Sequence, residues 1–98
     1  MDRSRFEHLF VELSMACGVV VPRYRLWLAL QEAGADPDRL RRRAALAFCD
    51  RDLAPFLATL GLQLSRWRRR RLRRAVAFFD PTLTTPEEIL ARLDRERA

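Results

Sequence analysis

Apolar residues recur along the chain with helical spacing from the N-terminus onward. The first stripe consists of Phe6, Leu9, Phe10 and Leu13. Their spacing of three and four positions places them on one face of a helix that Gly18 should end. A second helix is predicted in RYRLWLALQEAG, residues 23–34, with Trp27 facing the core and Gly34 at the C-terminal cap. No stretch alternates strictly between apolar and polar residues, as a half-buried strand would.

Caps and prolines mark two further helices in the middle of the chain. Asp36 is a suitable N-cap and Pro37 a suitable first residue, which predicts a third helix from Pro37 to about Phe48. The stretch DRDLAPFLATLG offers Asp50 or Asp52 as the N-cap of a fourth helix and ends in a glycine. This helix should be little longer than two turns, because a proline is tolerated only in the first turn.

Two more helices complete the pattern. The fifth is expected over about residues 64–79, where an Asp-Pro pair stops it. The sixth has the clearest start, since Thr85 is a good N-cap and Glu88 stands three residues later, which is the spacing of a capping box. The segments together predict one domain over residues 1–98, folded as a compact all-α bundle of about five to six short helices.

Composition is typical of a folded cytoplasmic protein. The chain is 49% hydrophobic and 33% charged. No apolar run approaches the roughly 18 residues of a membrane span. The N-terminus contains acidic residues and lacks a continuous apolar core, so it does not resemble a secretory signal. The two cysteines, Cys17 and Cys49, are expected to be buried free thiols, because disulfides are rare in the cytoplasm.

The positive charge is concentrated in one segment. All 19 basic residues are arginine, a bias that a G+C-rich genome also produces, so their placement is more informative than their identity. Residues 62–79 hold seven arginines and no acidic residue, whereas the net charge of the whole chain is +6. The remaining residues therefore sum to −1. A localised basic patch favours a partner that carries phosphate, acidic side chains or an anionic membrane surface.

A helical wheel divides the arginines of the fifth helix into two groups. The polar half of the wheel holds Arg66, Arg69, Arg70, Arg73 and Arg74. Arg68 and Arg71 instead fall inside the apolar arc, where an unpaired guanidinium would cost several kcal/mol. Either Asp50, Asp52 or Glu12 pairs with them, or the N-terminal half of the helix leaves the core. In the second case it protrudes, basic on all sides, as a recognition helix does in the major groove.

One segment resembles a known DNA-binding arrangement. LATLGL, residues 57–62, followed by Ser65 and the basic helix, resembles the helix-turn-helix of many bacterial regulators. The resemblance covers about residues 53–74 and implies that the basic helix is a recognition helix. It departs from the usual pattern in the length of GLQLS. A regulator of this kind is expected to form a homodimer, for which the stripe of Phe6, Phe10 and Leu13 is a candidate interface.

The function predicted from these patterns is non-catalytic binding of DNA or RNA. The expected binding residues are Arg66, Trp67, Arg68, Arg69, Arg70, Arg71, Arg73 and Arg74. Trp67 could stack on a base or cover the edge of the docked helix, and the second role is favoured. The alternative function is a protein-interaction subunit of a larger complex, such as a ribonucleoprotein, in which the arginine face meets an acidic partner. Peripheral membrane binding is a weaker alternative.

Residues for catalysis or cofactor binding are sparse. Arg3 and His8 have the spacing used by some small helical ribonucleases, in which the histidine would act as general acid and base. A surface or edge histidine is the favoured interpretation, so no enzyme activity is expected. No metal site or cofactor is predicted, because the chain lacks paired Cys or His ligand motifs and has only three separated glycines.

Overall fold

The computed structural model describes residues 4–79, which fold into five α-helices and one 3₁₀ turn. The elements are α1 (Arg5–Cys17), α2 (Arg23–Glu32), the 3₁₀ turn (Pro37–Arg39), α3 (Arg42–Arg51), α4 (Leu53–Thr59) and α5 (Arg66–Ala77). No strand occurs between residues 4 and 79, and the predicted all-α class is confirmed. None of the helices in this range is long and apolar enough to cross a bilayer. The predicted sixth helix lies outside the described residues.

Serine and glycine residues set three of the ends of α1 and α5. The Ser4 hydroxyl accepts a hydrogen bond from the Glu7 amide at 3.0 Å and so caps the start of α1. Gly18, with φ of 73°, ends that helix in the left-handed conformation that glycine adopts without strain. The Ser65 hydroxyl caps α5 by accepting from the Arg68 amide at 3.2 Å. The end of α1 at Gly18 and the start of α5 near residue 64 agree with the boundaries predicted from the sequence, which did not identify Ser4 as a cap.

The predicted third helix is two elements instead of one. Asp36 caps and Pro37 opens the 3₁₀ turn, as expected, but the backbone becomes extended at Leu40, with ψ of 123°, before α3 begins. In one continuous helix, Leu40 would lie about 140° around the axis from Ala45. Both side chains are buried, at 8% and 0% exposed. The break allows both to reach the same core, and the prediction of an unbroken helix was wrong.

The core joins every helix, with α5 seated on α1 and α3. The largest fully buried side chains are Leu9, Leu13, Val21, Leu26, Leu30, Phe48, Leu53 and Val76. α4 packs on α3, and the 3₁₀ turn packs on α1 and α2. Pro55 lies in the first turn of α4. Backbone amides there have no acceptor within the helix, so the amide hydrogen that proline lacks breaks no helical hydrogen bond. α5, the last helix of the described chain, thus packs against α1, the first.

Two predictions about apolar side chains need correction. Leu13 is fully buried within the chain, and Phe6 and Phe10 pack partly buried against the same core. The stripe proposed as a dimer interface is therefore used in the chain's own core. Trp27 was expected in the core, but it is half-buried and stacks beside Tyr24, with ring centroids 6.2 Å apart.

Candidate nucleic-acid interface

The N-terminal half of α5 projects from the protein. Residues 66–71 are exposed without interruption, and the buried positions of the helix are Leu72 and Val76, at 3% and 1% exposed. Because one and a half turns carry no buried residue, this part of the helix has solvent around most of its circumference. Of the two alternatives for Arg68 and Arg71, the exposed one is found.

Four of the seven arginines of α5 have no electrostatic partner among the described residues. Within residues 4–79, the side chains of Arg66, Arg69, Arg70 and Arg74 make no ion pair, hydrogen bond or ring contact. Arg66, Arg70 and Arg74 follow one another at intervals of four, so they form a stripe that extends about 12 Å along the helix. The stripe is available to an external anion.

Arg73 is the one arginine of α5 that meets a carboxylate in the described chain. Its Nε lies 2.8 Å from Oδ1 of Asp50 and its Nη2 lies 3.2 Å from Oδ2, which is bidentate geometry. These hydrogen bonds lower the pKa of Asp50 below its usual value and raise the pKa of Arg73. The pair joins α3 to α5. Asp50 lies within α3 and so does not cap α4, and Asp52 stands at the N-cap position of α4 without a side-chain hydrogen bond.

Arg68 is bound to backbone and not to a carboxylate. Its Nη1 donates to the carbonyl oxygen of Ala16 at 3.2 Å, in the last turn of α1. That carbonyl lacks an intrahelical donor, and α1 has no basic residue of its own in its last turn. Arg68 supplies the missing positive charge there. The alternative in which Glu12, Asp50 or Asp52 pairs with Arg68 and Arg71 is not found among the described residues.

Trp67 is exposed, contrary to the prediction that it covers the docked edge of the helix. It retains 66% of its accessible surface, and the Arg71 guanidinium lies 5.5 Å from its ring centre, within range of a cation–π interaction. Phe78 is 77% exposed. The apolar arc inferred from the wheel was too wide, because α5 contacts the core mainly along the line of Leu72 and Val76.

A groove of about 360 Å³ separates the end of α1 from the start of α5. Its walls are formed by Glu12, Met15, Ala16, Gly18, Trp67, Arg68, Arg71, Leu72 and Ala75. Met15 and Trp67 in these walls are 69% and 66% exposed. The groove therefore combines exposed apolar surface with two arginines and one carboxylate. The sequence did not reveal it, because its two sides lie about fifty or more residues apart along the chain.

The segment that resembles a helix-turn-helix differs from that motif in its connection and packing. Six residues, 60–65, separate α4 from α5, whereas the DNA-binding motif uses a turn of about three or four. The main contacts of α5 are with α1 and α3. Gly61 does occupy the turn with φ of 70°. The basic helix is thus presented by the bundle as a whole.

The chemistry considered around His8 is internal to the fold. His8 is only 9% exposed, its ring stacks on Phe79 with centroids 4.2 Å apart, and its Nε2 lies 3.6 Å from Oε1 of Glu12. The expectation of a surface or edge histidine was wrong, because the Phe79 ring, just after α5, covers the His8 ring. Arg3 lies outside the described residues. Between residues 4 and 79 no group of three or more His, Cys, Asp or Glu side chains could hold a metal ion.

The two cysteines are free thiols. Cys49 is buried, and burial, together with the neighbouring Asp50 carboxylate, raises its pKa to about 12. Cys17 is partly buried, which also raises the pKa of its thiol. Neither cysteine has the depressed pKa that a reactive thiolate requires.

The fold and this surface define a small all-α protein with a projecting, arginine-rich helix beside an apolar groove. Comparison with models of protein families, with curated proteins and with solved structures gave no match. Its function is therefore inferred from its own residues.

Proposed function

We propose that this protein binds nucleic acid, without catalysis, through the exposed arginines of α5. The observation that carries the proposal is the run of six consecutive exposed residues at 66–71, five of them arginine, on a helix anchored by Leu72 and Val76. Guanidinium groups bind phosphate oxygens in pairs, and a basic surface of this kind would attract DNA or RNA over a distance. A cytoplasmic location belongs to the same proposal.

The arginines have different roles in this proposal. Arg66, Arg69, Arg70 and Arg74 supply the principal phosphate contacts, because no described carboxylate neutralises them. Arg73 contributes less, since its guanidinium already donates hydrogen bonds to both oxygens of the Asp50 carboxylate. Arg68, Arg71 and Trp67 form the edge of the site next to the groove. All eight residues predicted from the sequence remain part of the proposed surface.

The test is the salt dependence of binding. Fluorescence anisotropy with a labelled single strand of about 12 nucleotides and a duplex of about 12 base pairs would be recorded from about 25 to about 200 mM salt. Four phosphate contacts predict a log–log slope of about −3 on the single strand and about −3.5 on the duplex. A variant with Arg66, Arg69, Arg70 and Arg74 changed to Gln should lose most of that slope.

A matched control removes the same charge elsewhere. Arg39, Arg41, Arg43 and Arg51 are also exposed, and they line a separate groove beside α3. Their replacement by Gln should leave the slope nearly unchanged. Equal losses in the two quadruple variants, or no wild-type binding below about 10⁻⁴ M at low salt, would contradict the proposal.

The second candidate is a protein-interaction subunit that binds an acidic partner. It is favoured by the two exposed aromatic residues at the ends of α5, Trp67 and Phe78, because aromatic and arginine side chains anchor many protein interfaces. Poly-glutamate is a phosphate-free polyanion suited to this test. Competition by poly-glutamate as strong as that by an oligonucleotide of equal charge would favour the acidic protein partner over nucleic acid.

A further inference from the structure

The groove beside α5 offers a surface that phosphate binding does not use. One side is the indole of Trp67, and the facing wall includes Met15 and Gly18 at the end of α1. Trp67 and Met15 are 66% and 69% exposed, and of the exposed large apolar side chains in the described range these two line the groove. Exposed aromatic and thioether groups next to a cationic surface suit a ligand that is flat and apolar as well as anionic.

A single-stranded nucleic acid has both properties. Its backbone carries the phosphates, and its bases expose π-faces that stack on aromatic side chains. A duplex keeps those faces stacked inside the helix and presents mainly phosphate and sugar to a basic surface. Only the unpaired strand would contact the groove and the arginine stripe together.

Glu12 adds a hydrogen-bond acceptor to the groove. Its side chain is 30% exposed, and Nε2 of His8 lies 3.6 Å from one of its carboxylate oxygens. A carboxylate accepts from the exocyclic amino group of cytosine, whereas uracil presents a carbonyl oxygen at the same position. Arg68 and Arg71 in the same groove offset the negative charge of Glu12 toward a polyanion.

From these three observations we infer that the groove takes an unpaired base stacked on Trp67, with cytosine preferred to uracil through Glu12. The inference rests on the proposed function and makes its ligand a single strand. Trp67 and Glu12 are the binding residues, on α5 and α1, and Ala16 and Arg68 hold these two helices together at the groove.

Trp67 itself provides the first readout. The chain has two tryptophans, so a Trp27→Phe background leaves Trp67 as the only one. The oligonucleotide rC12 should quench its fluorescence, because a stacked base contacts the indole. A 12-base-pair duplex should bind through the arginines without quenching.

Three substitutions then separate stacking from charge. Trp67→Leu should weaken binding of rC12 about tenfold and change duplex binding less than about twofold, while Trp67→Phe should restore most of the loss. Tyr24→Leu is the matched control, since Tyr24 is 69% exposed but does not line the groove. Glu12→Gln should reduce a preference of about fivefold for rC12 over rU12 to nearly equal binding, because an amide can donate as well as accept.

The outcomes distinguish this inference from the proposal on which it rests. Duplex and single strand bound equally, with no quenching and no effect of Trp67→Leu, would overturn the base site and leave phosphate binding by α5 intact. Quenching without any difference between rC12 and rU12 would overturn the role given to Glu12. Absence of binding to any of the oligonucleotides at low salt would overturn both proposals.

Discussion

Helices α3 and α5 have similar sequences and opposite environments. RRRAALAFCD, residues 41–50, and RLRRAVAFFD, residues 71–80, both lead from arginines through Ala-x-Ala-Phe to an aspartate. Phe48 in the first segment is 1% exposed, whereas Phe78 at the same place in the second is 77% exposed. Local sequence is therefore not what buries one phenylalanine and exposes the other.

The difference comes from which side of each helix meets a neighbour. α3 buries Ala45, Phe48 and Cys49, while α5 buries Leu72 and Val76. When the segments are aligned, the buried sides differ by about a quarter turn around the helix axis. Each helix packs on two neighbours, α3 on α4 and α5, and α5 on α1 and α3, but α5 buries only Leu72 and Val76 against them. A helix docked by one edge leaves room for a binding surface.

The two phenylalanines should give the largest difference in stability. Phe48→Ala should lower the free energy of unfolding by about 3–5 kcal/mol, because it removes a buried ring and leaves a cavity. Phe78→Ala should change it by no more than about 0.5 kcal/mol. Urea unfolding followed by circular dichroism measures both. Similar costs for the two substitutions would show that the environments are not as different as described.

Alkaline pH should expose a weakness specific to α3. The pKa of Cys49 is raised from 9.0 to about 12 in the folded chain, so the folded state holds this proton more tightly than the unfolded state. The resulting stabilisation is complete below pH 9 and is lost as the pH rises from 9 toward 12, with a slope of at most about 1.4 kcal/mol per pH unit. Measurement of the free energy of unfolding at about pH 8, 9, 10 and 11, which spans this window, tests the expected loss of stability. Cys49→Ala should have a flatter profile, and parallel profiles would contradict the assignment.

Arginines within α5 should differ among themselves. Arg68→Gln removes the hydrogen bond to the Ala16 carbonyl and should lower the free energy of unfolding by about 1 kcal/mol. Arg70→Gln removes the same charge without breaking a described contact and should leave stability unchanged within about 0.5 kcal/mol. A pair of thermal melts decides this. Equal melting temperatures for the two variants would remove the structural role given to Arg68.

The smallest effect should come from the ion pair that joins α3 to α5. The pKa of Asp50 is lowered, chiefly by its hydrogen bond to Arg73, so its contribution to stability is present above the usual Asp pKa of about 4 and is lost as the pH falls through the lowered value. Asp50→Asn should therefore lower the melting temperature slightly at about pH 7 and not at about pH 2, since these two pH values lie on either side of that transition. Both groups are exposed, which keeps the effect small. Asp38→Asn is the control, and an equal loss there would contradict a specific pair.

The sequence predicted the helices better than it predicted their surroundings. Gly18, Gly61 and Ser65 act locally, so the helix ends near them were found correctly. The break at Leu40 was missed because it satisfies a tertiary requirement, the burial of that side chain beside α3. Caps depend on neighbours in sequence, and burial depends on neighbours in space.

The candidate site shows the same limit. The exposure of the arginines on the polar half of the wheel followed from periodicity alone. The positions of Trp67 and Arg68 did not, because they depend on how far the end of α1 extends along α5. The groove with Glu12 could have been found only from a predicted contact between the first and fifth helices.

The hydrogen bond from Arg68 to the Ala16 carbonyl spans 52 positions of the chain. During synthesis, α1 leaves the ribosome long before α5 exists, so the first helix must wait for its covering partner. Closing so long a loop costs little in stability, only about 0.6 kcal/mol for each doubling of length, but distant contacts slow folding. The arginine surface thus depends for its orientation on a contact between the first and the last described helix.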